Sequence, residues 1–209
     1  MGCGTSSSSA LLRSLTISSF FLLLALCGRV CGGAFGPARV GAVREATAVD
    51  LNGAVVDPWK ASGGKIVVLI FVRVDCPISN RYSPTIQRMA REKAGRVAFW
   101  LVYPDRSESA EQIRKHEHEF GYDLPALRDV QRSLVAESHA QTTPEAAVFD
   151  ANRKLVYHGR IDNLFEDFGR ARPAATTHEL EDAIRAAIDG KEVARAAVPG
   201  VGCYISDLK

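Results

Sequence analysis

Two cysteines, Cys76 and Cys203, are the residues of this 209-residue chain best suited to chemistry. Cys76 follows a β-branched apolar run at 65–74 and precedes Pro77, a residue type favoured at the first position of a helix. Where a strand meets a helix N-terminus, free backbone N–H groups and the helix dipole stabilise a thiolate. The sequence therefore predicts an accessible, nucleophilic Cys76; a small buried cysteine with a packing role is the alternative.

Cys203 lies in a C-terminal tail that starts at about residue 191 and contains the flexible run Pro199-Gly-Val-Gly-Cys203. The 13 residues from Gly190 to Cys203 span at most roughly 43–47 Å. That reach is enough to return from the end of a final helix to Cys76. We hypothesise that Cys203 resolves Cys76 through a disulfide, and a static structural bridge is the other interpretation.

The first 34 residues are typical of a secretory signal peptide. Arg13 precedes a short apolar run, and small residues follow it up to Ala34, where we expect cleavage. A buried helix, an uncleaved anchor and lipid attachment at Cys27 are the alternatives. Export leaves a domain at 35–209 with only two of the five cysteines, in a compartment that permits disulfides.

The composition is that of an ordinary globular protein. The chain is 46% hydrophobic, and its 26 Lys and Arg residues against 24 Asp and Glu give no basic excess for a nucleic-acid partner. No stretch reaches the roughly 20 apolar residues of a membrane-spanning helix, so we expect membrane contact only through the signal segment.

The patterns along the domain predict alternating strands and helices that position Cys76. An Asn-Gly turn at 52–53 indicates an N-terminal β-hairpin. Apolar runs at 65–74 and 96–103 predict two buried parallel strands, and the helix after Cys76 contains a proline that should kink it. Further elements are expected as a helix from a capping box at Ser109, a short helix at 131–139, a hairpin at 146–161 and a helix from a capping box at Thr176.

Three of these features resemble the thioredoxin superfamily: the strand, the run Asp75-Cys76-Pro77-Ile78-Ser79, and the helix with a proline eight residues after the cysteine. The run Thr142-Thr143-Pro144 before a strand is also similar to the cis-proline loop of that superfamily. The resemblance covers about residues 45–190. Within the superfamily, this segment is most similar to the redoxin and alkyl-hydroperoxide-reductase branch, which is found in exported bacterial proteins. It implies a three-layer α/β/α sandwich with a mixed central sheet, in which Thr143 and Pro144 lie beside the reactive Cys76.

Two positions depart from the patterns of this superfamily. Ser79 stands where thioredoxins carry the second cysteine of Cys-x-x-Cys, so no local disulfide can form. Its hydroxyl, one helical turn along, is placed to hydrogen-bond a Cys76 thiolate; a simple polar surface residue is the alternative. Arg73 stands where peroxiredoxins carry a threonine, three residues before the reactive cysteine.

The segment 163–173 is longer than such a connection needs, and we expect it to border Cys76. Phe165, Phe168 and Arg170, with Pro77, are candidates for contact with a partner protein or an anionic substrate. A self-packed surface loop is the alternative.

The histidines carry little metal-binding signal. His116 and His118 are two residues apart on a predicted helix, so they do not form an i, i+4 metal pair, and we expect a solvated face there. His139 and His158 are isolated in the sequence, and His158 on the predicted hairpin is the better candidate ligand.

Three functions fit these residues. The one we predict is an exported thiol–disulfide oxidoreductase that acts on protein thiols or disulfides and is reset by an external thiol reductant. The second is a thiol peroxidase that reduces a small hydroperoxide through a sulfenic acid on Cys76. The third is a copper(I)-binding module that uses Cys76, Cys203 and His158. The prediction includes no resident cofactor or metal and no nucleic-acid partner.

Overall fold

The computed structural model of this chain describes residues 46–205. The predicted signal peptide and its cleavage site lie outside these residues. In chain order the elements are β1 (Ala48–Asp50), β2 (Val55–Val56), α1 (Pro58–Ala61), β3 (Ile66–Phe71), α2 (Pro77–Arg81), α3 (Ser83–Lys93), β4 (Val97–Tyr103), α4 (Ala110–Glu119), β5 (Ala126–Arg128), α5 (Ser133–Ser138), β6 (Thr142–Thr143), β7 (Glu145–Phe149), β8 (Leu155–Gly159), β9 (Phe165–Asp167), β10 (Arg170–Ala171), α6 (Glu179–Ile188), β11 (Ala197–Val198) and β12 (Cys203–Tyr204).

Eight strands form one mixed sheet in the order β11-β8-β7-β3-β4-β5-β1-β2. β3, β4 and β5 are parallel, whereas β7 pairs antiparallel with β3. Side chains alternate along β3, so Val68 and Ile70 join one apolar cluster while Leu69 and Phe71 join another. Helices α3, α4 and α6 contribute to the first cluster, and α1 and α5 to the second. The predicted α/β/α sandwich is confirmed.

Local signals placed most of the elements correctly. The Asn-Gly turn joins β1 to β2, and Gly53 takes the positive φ of 88° that this turn requires. Ser109 and Gln112 form the predicted capping box of α4. The helix after Cys76 is interrupted at Tyr82, with the proline inside the first turn of the second helix. A proline is tolerated there because the first N–H groups of a helix have no intrahelical partner.

The predicted start of the last helix at Thr176 is wrong. Helix α6 begins at Glu179, after His178 at the N-cap position. The hydroxyl of Thr176 instead accepts a hydrogen bond of 2.7 Å from the side-chain amide of Asn163. The Thr176 hydroxyl that the capping box would have used is therefore hydrogen-bonded to Asn163, 13 residues earlier in the chain.

The second half of the chain contains strands that the sequence patterns did not indicate. The segment 163–173 forms the small hairpin β9–β10, with Gly169 at a φ of 80° in its turn. In the C-terminal tail, β11 adds to the main sheet parallel to β8, and β12 pairs antiparallel with β6. Strands of two or three residues are too short to show the alternation that identifies a strand. Within residues 46–205, no helix is long and apolar enough to cross a lipid bilayer.

Candidate functional site

Cys76 lies at the junction between β3 and α2, at the N-cap position of the helix. The position agrees with the sequence analysis, but the expected accessibility is wrong, because the side chain is 0% exposed. Cys76 belongs to the first apolar cluster, and the C-terminal tail lies beside the junction, where β12 pairs with β6. The reach of the tail predicted that Cys203 could return to Cys76, but no local pattern indicated that the sulfur would be fully buried.

The loop that contains Thr143 and Pro144 lies beside the Cys76 sulfur. The Sγ atom of Cys76 is 3.0 Å from the carbonyl oxygen of Thr143, which accepts its hydrogen when the sulfur is a thiol. The Thr143–Pro144 peptide bond is cis, as the resemblance implies, and both residues are buried. Residues 67 positions apart in the chain are thus brought into contact.

Cys203 is the second sulfur at this place. In the register of β12 against β6, Cys203 lies opposite Thr143, whose hydroxyl donates a hydrogen bond of 3.4 Å to the Cys203 carbonyl. Both cysteines are free thiols in the structure. The tail therefore makes the return to Cys76 that its length permits.

Four hydrogen-bond donors converge on the Cys76 sulfur. Burial by itself raises the pKa of this thiol, but hydrogen bonds from the hydroxyl and backbone N–H of Ser79, and from the side chain and backbone N–H of Cys203, lower it further than burial raises it. The net pKa lies below the ordinary value.

The pKa of Cys203 moves in the opposite direction. Burial, the hydrogen bond that it donates to Cys76 and the negative charge of the Cys76 thiolate together raise it to about 12. As the pH rises, Cys76 therefore loses its proton first and Cys203 keeps its own. This asymmetry makes Cys76 the stronger nucleophile of the pair at neutral pH.

Arg73, three residues before Cys76, is held by two carboxylates. Its guanidinium lies 3.1 Å from Asp75 and 3.1 Å from Asp105. These carboxylates largely compensate the positive charge of Arg73. The remaining effect of Arg73 on the sulfurs is a small lowering of the pKa of Cys203.

Two polar side chains hold the loop before Cys76, the buried Glu108 and the half-buried Asn80, and no sequence pattern indicated either of them. Both backbone groups of Val74 are bound: its N–H donates to Glu108 Oε1 at 2.8 Å, and its carbonyl accepts from Asn80 Nδ2 at 3.2 Å. Asn80 also donates its backbone N–H to the carbonyl of Cys76 at 3.1 Å. Residues from two sides therefore fix the backbone that carries the nucleophile.

His116 extends this network and corrects the prediction of a solvated face. It is buried, with Nε2 at 2.8 Å from Asn80 Oδ1 and Nδ1 at 2.9 Å from the Tyr103 hydroxyl. Because Asn80 Oδ1 is an acceptor, Nε2 carries the hydrogen and Nδ1 accepts from tyrosine. Burial lowers the pKa of His116, which favours this neutral form. Its spacing of three residues from the buried Ile113 was the available signal.

Glu108 gives the loop a pH-dependent stability. Burial raises its pKa from 4.5 to about 7. Between these two values the folded protein keeps a proton that the unfolded chain releases, so the contribution of Glu108 to stability is lost as pH rises. A shift of this size corresponds to a loss on the order of 3 kcal/mol. We expect Glu108→Gln, which cannot ionise, to reduce the fall in unfolding free energy between pH 5 and pH 8.

Urea denaturation at both pH values measures this effect. Glu192→Gln is the matched control, because Glu192 is exposed. An equal fall in unfolding free energy in the parent chain and the Glu108 variant would contradict the assignment.

The predicted contact residues of the border segment have different surroundings. Phe165 is half-buried, with its ring centroid 5.8 Å from that of Tyr82. Phe168 is 62% exposed near the turn of the β9–β10 hairpin, and Arg170 is exposed and lies 3.0 Å from Glu166. Pro77 is exposed at the start of α2. Phe168 and Arg170 are both exposed, and among the described residues no contact joins either of them to Cys76.

His158 does not join the two cysteines in a ligand set. Its Nδ1 lies 3.6 Å from Glu145 Oε1, and its ring is 5.8 Å from that of His139. These residues border a cavity of about 210 Å³ beside Tyr204. In the part of the chain that the structure describes, no group of three or more candidate ligand side chains can hold a metal ion. The described residues therefore do not bring together the three ligands that the copper(I) alternative named.

The sheet order, the helices on both faces and a cysteine at a strand–helix junction beside a cis-proline loop define a thioredoxin-like fold. No protein-family model matches the sequence, and no curated protein matches it.

Solved structures with this fold include two of unassigned function. A hypothetical protein of Sinorhizobium meliloti 1021 is 25% identical, with a TM-score of 0.63 over 76% of this chain and 88% of that one. An uncharacterized conserved protein of Geobacillus kaustophilus is 24% identical, with the same TM-score over 76% and 86%. A secreted Mycobacterium tuberculosis disulfide oxidoreductase homologous to E. coli DsbE is 19% identical, with a TM-score of 0.50 over 70% and 99%. At these identities the likeness shows the fold.

Proposed function

We propose that this protein is an exported thiol–disulfide oxidoreductase of the redoxin type, with Cys76 as the nucleophile and Cys203 as the resolving cysteine. The observation that carries the proposal is the pairing of β12 with β6, in which Cys203 lies opposite Thr143, whose carbonyl oxygen is 3.0 Å from the Cys76 sulfur. A structural cysteine in an apolar core would have a raised pKa, whereas that of Cys76 is lowered despite its burial.

The first step is attack on a protein disulfide. The Cys76 thiolate forms a bond to one substrate sulfur, the substrate S–S bond breaks, and the departing thiolate takes a proton from solvent. Ser79 keeps Cys76 ionised, while Thr143 and Pro144 form the wall beside the sulfur. The product is a mixed disulfide between Cys76 and the substrate.

The second step follows from the change in charge at Cys76. Once Cys76 is in the mixed disulfide, its negative charge no longer raises the pKa of Cys203. Cys203 can then lose its proton and attack the Cys76 sulfur, which releases the second substrate thiolate. The substrate disulfide has been reduced by two electrons, and the protein holds a Cys76–Cys203 disulfide that an external thiol reductant resets.

Two reactions of the reduced protein test this function against peroxidase activity. We expect rapid attack of Cys76 on a small aromatic disulfide such as 4,4′-dithiodipyridine, followed by the absorbance of the released thione. With hydrogen peroxide, trapping by a dimedone-type reagent should detect a sulfenic acid on Cys76 only slowly. Fast trapping of a sulfenic acid without attack on the disulfide would overturn the proposal in favour of the peroxidase.

Export is part of the proposal and has its own test. The signal-like segment at 1–34 and the disulfide chemistry of Cys76 and Cys203 both favour an oxidising compartment, periplasmic or extracellular. Determination of the N-terminus of protein recovered from the periplasm or medium of a bacterial host should show a start near residue 35. An intact N-terminus in the cytoplasmic fraction would contradict export.

A further inference from the structure

The C-terminal strand forms a two-stranded sheet with β6, next to the nucleophile. β12 pairs with β6 so that Cys203 lies opposite Thr143 and Tyr204 opposite Thr142. The next residue, Ile205, donates its N–H to the Gln141 carbonyl at 2.9 Å and is buried in the second apolar cluster. An extended segment is therefore held by main-chain hydrogen bonds and by the packing of Ile205 and Val201, which is the way that sheet edges bind peptides.

A glycine is required at the position before the cysteine in this segment. A Cβ atom on Gly202 would lie 2.1 Å from the carbonyl oxygen of Thr143 and 2.7 Å from its carbon. The same oxygen is 3.0 Å from the Cys76 sulfur. A larger residue at position 202 must move away from this oxygen, and it takes the following cysteine away from Cys76.

We propose that the β6 edge beside Cys76 binds an extended substrate segment in which a glycine directly precedes the reactive cysteine, and that residues 200–205 are the chain's own copy of that segment. This inference rests on the proposed function, and it names the substrate class as a protein disulfide with one cysteine in an extended Gly-Cys sequence. The β6 edge does not recognise the side chain after the cysteine, because Tyr204 at that position is 78% exposed.

The shared edge also orders the two chemical steps. Cys76 is 0% exposed while β12 is in place, so the tail must move before a substrate sulfur can approach. A strand of two residues with one buried side chain next to it is a small unit, of the kind that opens locally without global unfolding. When the tail returns to the edge, it displaces the substrate segment and brings Cys203 back to the Cys76 sulfur.

Activated peptides test the glycine requirement on the full chain with Cys203→Ser. Two peptides with the sequence of residues 199–205, one with valine in place of the glycine before cysteine, each carry a 2-thiopyridyl disulfide. We expect the glycine peptide to release the thione about tenfold faster, which is about 1.4 kcal/mol of discrimination. Equal rates would overturn the inference.

The reaction with 4,4′-dithiodipyridine separates this inference from the proposed function. If the protein attacks this reagent but reacts equally fast with both peptides, only the inference is overturned. No attack on any of the three reagents removes the proposed function as well.

A second measurement uses the tail in its own place. We expect Gly202→Ala to lift β12 and to increase the rate at which iodoacetamide alkylates Cys76, as mapped by mass spectrometry. Gly95→Ala is the matched control, since no heavy atom lies within 4 Å of the added Cβ and its φ is not positive. The same slow alkylation in Gly202→Ala as in the control would overturn the close fit on which the inference depends.

Discussion

Cys76→Ser is expected to reduce the rate of thiol–disulfide exchange by at least about a thousandfold, because a serine hydroxyl is not ionised near neutral pH and is a poor nucleophile toward sulfur. Cys203→Ser is expected to retain the first attack and to stop at a stable mixed disulfide with Cys76. Thione release from an aromatic disulfide measures the first effect, and mass spectrometry under non-reducing conditions measures the second. Retained exchange in Cys76→Ser together with its loss in Cys203→Ser would reverse the roles of the two cysteines.

Ser79→Ala tests the electrostatic part of the same site. Its hydroxyl hydrogen bond lowers the pKa of Cys76, so its removal should move the rise of the rate with pH to higher pH. The variant should therefore be slower than the parent near neutral pH and at least as fast where both thiols are fully ionised, because a thiolate of higher pKa is the stronger nucleophile. A uniform decrease at all pH values would instead indicate a structural role for Ser79.

Features of the fold with causes nearby in the chain were predictable. The apolar run of β3, the Asn-Gly hairpin and the capping box at Ser109 each depend on residues within a few positions of one another. The start of α6 was mispredicted because Asn163, from another part of the chain, binds Thr176. β12 was not predictable as a strand, since its partner β6 lies 60 residues earlier and each strand has only two residues.

The same distinction holds for the site. The likeness of Thr142-Thr143-Pro144 to known cis-proline loops predicted that Thr143 lies near Cys76. The reach of the tail predicted that Cys203 can lie there too. The burial of Cys76 could not be predicted, because it depends on the tertiary packing of the first apolar cluster rather than on the residues next to the cysteine. Glu108 and His116 are polar residues that a single sequence assigns to the surface, and only tertiary packing shows that they are buried.

Gly159→Ala is expected to be the most destabilising glycine substitution in the sheet. Gly159 has a φ of 142°, which residues with a Cβ rarely adopt, and the added atom would lie 2.0 Å from the carbonyl oxygen of Val198. Backbone strain and the collision with β11 act together, so we expect a loss of roughly 2–4 kcal/mol in unfolding free energy. Urea denaturation measures it, with Gly95→Ala as the control, and an unchanged midpoint would contradict the prediction.

This substitution should also affect the redox site from a distance. β11 is held on β8 by hydrogen bonds that include the one from Arg160 N–H to the Val198 carbonyl, at 3.0 Å. Five residues after β11, the chain reaches Cys203 at the start of β12. A displaced β11 therefore loosens the segment that covers Cys76, and alkylation of Cys76 in Gly159→Ala should be faster under conditions where the variant is still folded. Unchanged alkylation in the folded variant would show that β12 is held by its own contacts with β6 and Ile205, independently of β11.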